Sequence, residues 1–332
     1  MIDLRARPLR ATHADASFYV QREKDMAMLA AALSHGFNVM ILGERGAGKT
    51  TLINLLAARL EEQGQPAVQL GGSRFNTAAE ALWGIARVAL TEPPPSSPVP
   101  PLAAAEAMRQ SISDPLEGAY RALADAAGAL PENTAILVDG LIPALVHEIF
   151  GRLRDEMWTL RLQWVITGDL ENKPVLLAPP ADAFFDQIVT LAPFGESEIE
   201  QLLGLRDPDS ELGVSVQRLI AARCEGNPAR ALLLARHALV AADPIAEIER
   251  GSVVERIEDE LGEPAARLAD DLARNGPSGP SDPQLLRRLG WSRPRAYQVF
   301  QALQHAGWTE VTAEHTGRAG RPANTFRLKE PA

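Results

Sequence analysis

The sequence predicts an α/β fold: a largely parallel sheet covered by helices, then a small all-helical lid, then a C-terminal unit of helices and a hairpin. Three observations carry this. Short apolar runs alternate with segments of helical spacing through residues 1–194. From about Glu196 the strand-like runs stop and helical periodicity continues alone. Near the C-terminus a long helix precedes two β-prone runs around a Gly/Arg/Pro turn. The expected domains are therefore 1–194, 195–262 and 263–332.

Each element follows from its own residues. FYVQREKDMAMLAAALSHG places Met26, Leu29, Ala30 and Leu33 on one helical face. FNVMIL (37–42) reads as a buried strand, and Lys49 to Leu60 as a helix with Leu52, Leu55, Leu56 and Leu60 on one side. PAVQL (66–70) is the second strand, with a helix over 77–90 after it. TEPPPSSPVPP (91–101) excludes regular structure, because proline lacks a donor and restricts its predecessor. It is expected to be a stiff exposed loop or an insertion. A helix over 115–129 leads into TAILVDG (134–140), and RLQWVITG (161–168) and QIVTLAP (187–193) complete five strands. Alternation of this kind implies a parallel sheet covered on both faces.

ESEIEQLLGL, VSVQRLIAARC and PARALLLARHALVAA read as the helices of the lid, and IAEIERGSVVERIEDELGE continues them toward the last unit. There PAARLADDLARNG is a helix closed by Gly276. SDPQLLRRLG is a short helix with Ser281 as its expected N-cap. SRPRAYQVFQALQHAG is longer, with Ser292 capping and Pro294 in the first turn. WTEVTAEHTGRAGRPANTFRL gives two strands flanking a hairpin.

Bulk composition bounds the function. A hydrophobic content of 46% supplies real cores, and 23% charged is ordinary for a globular protein. The net charge of −10 excludes a protein coated all over for nucleic acid but permits a local basic face. Cys224 is the sole cysteine, which excludes an internal disulfide and a cysteine-based zinc site. The N-terminus lacks the apolar core of a signal peptide, and no run approaches the ~18 apolar residues that span a bilayer. The expectation is a cytoplasmic protein with no membrane contact.

The chemistry-bearing motif is Gly43-Glu44-Arg45-Gly46-Ala47-Gly48-Lys49-Thr50, a full match to GxxxxGK[ST] between an apolar strand and a helix. Gly43 and Gly48 are expected to let the backbone turn so that consecutive amides point at phosphate oxygens. The helix starting at Lys49, with Thr50 and Thr51 in its first turn, adds its positive end. Lys49 then reaches the β/γ-phosphates, and the Thr50 hydroxyl ligates magnesium. Ile136-Leu137-Val138-Asp139 reads as a Walker-B strand, whose carboxylate completes the magnesium shell beside Thr50. The implied cofactors are ATP or ADP with magnesium on a P-loop NTPase core.

The order Walker A, Walker B, a strand ending in a polar residue, a helical lid and a winged helix resembles the AAA+ ATPases. It is most similar to their origin-recognition and initiator branch, with features of STAND-type signalling ATPases. FYVQRE resembles the adenine-side motif of that branch, which implies that Arg22 lies beside the base; Gln21 stands where the family usually has glycine. By the same resemblance Thr167 is the sensor-1 residue aimed at the γ-phosphate. GNPAR (226–230) falls at sensor 2, its Gly-Asn-Pro resembling the STAND group, with Arg230 placed to bridge lid and γ-phosphate. Two departures point away from an active motor. Gly140 follows Asp139 where the family has a water-orienting glutamate, and no basic residue lies between Lys173 and Arg206 to serve as an arginine finger. Such a finger is worth about 10³–10⁵ in rate. Glu44 or Asp169 is a candidate replacement carboxylate. A switch with slow or absent hydrolysis, at most a weak ATPase, is expected.

In the last unit, Ala296, Val299, Phe300, Leu303 and Ala306 share one helical face and are expected to meet Leu285, Leu286 and Leu289. The opposite face presents Arg293, Arg295, Tyr297, Gln298, Gln301 and Gln304, donors suited to phosphates and base edges. Leu289-Gly290-Trp291 supplies the turn of a helix-turn-helix. Arg318 and Arg321 fall at the tip of the hairpin, where an arginine enters a minor groove. Residues 281–332 carry eight Lys/Arg against four Asp/Glu, a local +4 that leaves −14 on the remainder. The expected partner is double-stranded DNA, with partner proteins or self-association also open. The expected role is initiator-like, recruiting or regulating DNA-processing machinery. The alternative is a STAND-like signalling or defence ATPase whose winged helix contacts protein.

Overall fold

A computed structural model describes residues 2–20, 22–93, 101–314 and 323–329. Gln21, most of the proline-rich run and the hairpin tip with Arg318 and Arg321 lie outside the described residues. Two compact units emerge. The first comprises Arg5–Arg206 with Asn227–Ala229, and the second Met1–Leu4, Asp207–Gly226 and Arg230–Ala332.

The first unit begins with α1 (His13–Ala16) and α2 (Glu23–Ser34), which lead into β1 (Val39–Gly43), α3 (Lys49–Glu62), β2 (Ala67–Gly71) and α4 (Ala78–Thr91). Then come α5 (Leu102–Ser111), α6 (Pro115–Ala129), β3 (Ala135–Asp139) and α7 (Pro143–His147). A π-helical turn, Glu148–Arg152, connects α7 to α8 (Arg154–Thr159). β4 (Gln163–Asp169), α9 (Lys173–Leu176), β5 (Gln187–Thr190) and α10 (Glu196–Arg206) close the unit.

Among the described residues these strands form one parallel sheet in the order β2-β3-β4-β1-β5. The interior strands β1, β3 and β4 are mostly apolar runs because both faces are buried, and the period-two pleat sorts their residues between two cores. Met40, Leu42, Ile136, Val138, Trp164 and Ile166 pack with α4 and α6. Val39, Ile41, Leu137 and Val165 point the other way, against Leu29 and Leu33 of α2 and Leu52, Ile53 and Leu56 of α3. On α3 it is therefore Ile53, rather than Leu55, that completes the buried stripe.

The second unit holds α11 (Val214–Arg223), most of α12 (Pro228–Val240), α13 (Pro244–Leu261), α14 (Glu263–Asn275), α15 (Pro283–Leu289) and α16 (Arg293–His305). β6 (Thr309–Glu314) and β7 (Ala323–Leu328) pair antiparallel. Leu268 and Leu272 of α14, Leu285 and Leu289 of α15, Ala296, Val299, Phe300 and Leu303 of α16, and Phe326 of β7 build its core. Gly276 closes α14 at φ +85°. Two caps differ from expectation. Asp282, not Ser281, caps α15, its carboxylate accepting from Gln284 N at 2.8 Å with Pro283 as the first helical residue. Ser292 occupies the N-cap of α16, but its hydroxyl makes no capping bond.

Candidate functional site

The Gly43–Thr50 loop sits where β1, an interior strand between β4 and β5, runs out into α3. Gly46 and Gly48 turn the chain through left-handed φ of +87° and +96°. Gly43 does not: it ends the strand, where a β-carbon would meet Leu191 Cβ at a tight 3.3 Å. The turn expected at Gly43 and Gly48 is instead made by Gly46 and Gly48. Glu44 and Arg45 are exposed, and Ala47 is buried.

Parallel pairing places Gly43 beside Asp169 of β4, and β3 lies on the other side of β4. Three strand ends thus deliver their polar residues to one edge of the sheet. Thr50 Oγ1 donates to Asp139 Oδ2 at 2.7 Å, and Thr167 Oγ1 donates to Asp139 Oδ1 at 2.6 Å. The same Thr167 oxygen accepts from Gly140 N at 2.7 Å. Both oxygens of one carboxylate are fixed by hydroxyls from the two neighbouring elements, so Asp139 has a defined orientation. Lys49 Nζ lies 2.9 Å from the carbonyls of Gly43 and Glu44 and 2.8 Å from Asp169 Oδ1.

Around this edge are braces that the motif alone does not show. Arg22 donates to Ala47 O at 3.1 Å and Ala192 O at 2.9 Å, and its guanidinium lies 4.2 Å from the Phe194 ring centroid. It ties the phosphate loop to the exit of β5. Thr51 turns away from the loop, its hydroxyl accepting from Leu9 N at 3.2 Å. Asn54 holds Leu9 O at 2.7 Å, so the chain at Leu9 is fastened to α3 through both its N–H and its carbonyl. Asn227 Nδ2 donates to Arg45 O at 2.8 Å. No local pattern announces that bond, because its partners are 182 residues apart.

Arg230 belongs to the second unit. Glu225 at 2.8 Å, Glu255 at 3.1 Å and Asp259 surround its guanidinium. Burial works against its charge, but Glu255, Asp259 and Glu225 outweigh burial and raise its pKa. Burial pushes the Glu255 carboxyl up, against the pull of Arg230.

Comparison with solved structures bears on the fold. Cdc6p from Pyrobaculum aerophilum matches with a TM-score of 0.51 at 15% identity, over 95% of this chain and 93% of that one. The chain shares the fold of that protein. The Aeropyrum pernix Orc1 protein, solved in complex with DNA, matches at 17% identity and TM-score 0.48, over 97% of this chain and 92% of its own. The Orc2 protein of the same organism, solved as ADPNP–ADP complexes, gives 13% and 0.47, over 97% and 90%. No family model and no curated protein matches the sequence.

In the second unit, α16 presents a polar face. Arg293, Arg295, Gln298, Gln301 and Gln304 are exposed, and Tyr297 is 54% exposed. Gln301 Nε2 donates to Tyr297 Oη at 3.0 Å, which links two of these side chains. Arg288 is committed elsewhere, bidentate to Asp271 at 2.7 Å for each bond. Among the described residues no helix is long and apolar enough to cross a membrane.

Proposed function

We propose that this protein binds ATP or ADP with magnesium and uses the nucleotide as a state signal for a DNA-binding C-terminal unit, with slow or no hydrolysis. The observation that carries this reading is the Thr50–Asp139–Thr167 chain of hydrogen bonds beside the phosphate loop. In this reading Lys49, the loop amides and the start of α3 hold the β/γ-phosphates. Thr50 and Asp139 fit magnesium, because a hydroxyl and one carboxylate leave most positions to phosphate and water, as that ion prefers. When bound, the metal would draw charge from the phosphate oxygens. Thr167 keeps the Asp139 carboxylate turned toward Thr50 throughout.

Slow turnover follows from what stands beside Asp139. Gly140 occupies the next position at φ +75° and has no side chain with which to orient water. Asp169 is near the site but is paired with Lys49. Support for DNA comes from the exposed Arg/Gln/Tyr face of α16 and the local charge of +4. We read α14–α16 with β6–β7 as a winged helix. The functional parts are then a nucleotide core at 1–194, a lid at 195–262 and a DNA-binding domain at 263–332, acting in the cytoplasm.

Duplex binding by fluorescence anisotropy, with and without ATP and magnesium, tests the reading alongside phosphate release. Expected are nucleotide-dependent affinity, a steep salt slope that flattens in Arg293→Ala/Arg295→Ala, and little phosphate. Sustained release at ring-motor rates would refute the switch. A protein that binds no duplex at any salt concentration would redirect the C-terminal unit to protein contacts.

A further inference from the structure

The turn between α11 and α12 contains a side chain that serves two backbones at once. Asn227 is 8% exposed. Its Oδ1 accepts from Ala229 N at 3.1 Å, which caps the start of α12. Its Nδ2 donates to the carbonyl of Arg45, in the middle of the phosphate loop. The fit is close: a β-carbon on Gly46 would lie 2.7 Å from Asn227 Oδ1 and 2.8 Å from Ala229 Cβ. Gly46 is thus required twice, by its φ of +87° and by the approach of this turn. Residues 227–229 pack with the first unit, whereas α12 continues from Arg230 as part of the second.

The Arg45 carbonyl and the Gly46 amide belong to one peptide plane. In a phosphate loop that amide is among those offered to the anion, so phosphate acts on one end of the plane and Asn227 on the other. Bound anion polarises the plane and strengthens the bond at its carbonyl end. Any rotation of the plane is also felt by Nδ2. We infer that Asn227 is a positioning residue that ties the conformation of the phosphate loop to the first turn of α12. The inference rests on the nucleotide reading above. An amide is required: aspartate keeps the cap but offers no donor, and serine keeps a capping oxygen but is too short to reach Arg45.

Hydrogen exchange of the full-length protein, with and without ADP or a non-hydrolysable ATP analogue, tests this. Nucleotide affinity is measured on the same samples. In the wild type, nucleotide is expected to raise protection in the first turns of Pro228–Val240. Asn227→Ser retains the cap and still binds nucleotide, but its protection gain shrinks about fivefold, the worth of one hydrogen bond. Asn227→Asp is expected to weaken nucleotide binding as well, since a second anion then stands by the loop. Equal protection gains in wild type and Asn227→Ser, with nucleotide bound to both, would overturn the role of Asn227 and leave the nucleotide reading intact. Failure of the wild type to bind any nucleotide would overturn both.

Discussion

Thr167 shows how much one hydroxyl carries. It is fully buried, donates to Asp139 and accepts from Gly140 N, so its one oxygen fixes both the carboxylate and the turn that follows it. Thr167→Val keeps the shape and leaves a carboxylate oxygen and an amide without that partner. The expected cost is about 1–3 kcal/mol. Calorimetry should show a melting temperature lower by several degrees, roughly 2–4 °C per kcal/mol for a domain of this size. Magnesium should also raise the melting temperature of the ATP-bound variant by less than it does in wild type, because Asp139 is then free to rotate. Much at this scale was legible in sequence. Lys49, Thr50, Asp139 and Thr167 stand at strand and helix ends that apolar runs announce, and the structure brings all four to one edge. What was not legible depends on distant partners or on local competition. Nothing near Asn227 points to Arg45, and Ser281 and Asp282 are adjacent capping residues whose rivalry only geometry decides.

Elements repeat the lesson. All five strands of the sheet were readable from short β-prone runs that are mostly apolar, and their ends moved by at most three residues. α5 was not, since it follows directly on the prolines and buries only Ala105. The N-terminal arm also escaped the sequence, being held by ion pairing rather than periodicity. Arg7 binds Asp15 at 2.5 and 2.8 Å, and Arg10 N adds a bond at 2.8 Å. Together these hold the Asp15 carboxyl at about 2, below its ordinary 3.8, although burial opposes them. A depressed carboxyl pKa stabilises the arm above the ordinary value, and that contribution disappears as pH falls through about 2. Pepsin cleavage within residues 5–18 should therefore rise as pH falls from 4 toward 2, whereas Asp15→Asn should be cleaved readily across that range. In the second unit, Arg288 joins α15 to α14 through the buried Asp271. Arg288→Ala should cost about 2 kcal/mol in denaturant unfolding. That lies below the range for a fully buried pair because Arg288 keeps 35% of its side-chain surface in water.

At the scale of the whole molecule, charge and strand order divide the labour. The C-terminal 281–332 is basic on an otherwise acidic chain, so added salt should weaken duplex binding while leaving nucleotide binding comparatively unaffected. A parallel fall of both would contradict that division. Strand order has a quieter effect. β1 is bonded to β4 on one side and β5 on the other, while β2 and β5 each have one neighbour. Amides at the rim open by fraying, but those of Val39–Leu42 are released only when larger parts of the sheet come apart. Deuterium should therefore enter β2 and β5 first and the interior strands β3, β4 and β1 last. The seat of the phosphate loop would thus be among the last parts of the molecule to lose its shape under heat or denaturant, outlasting the periphery that surrounds it.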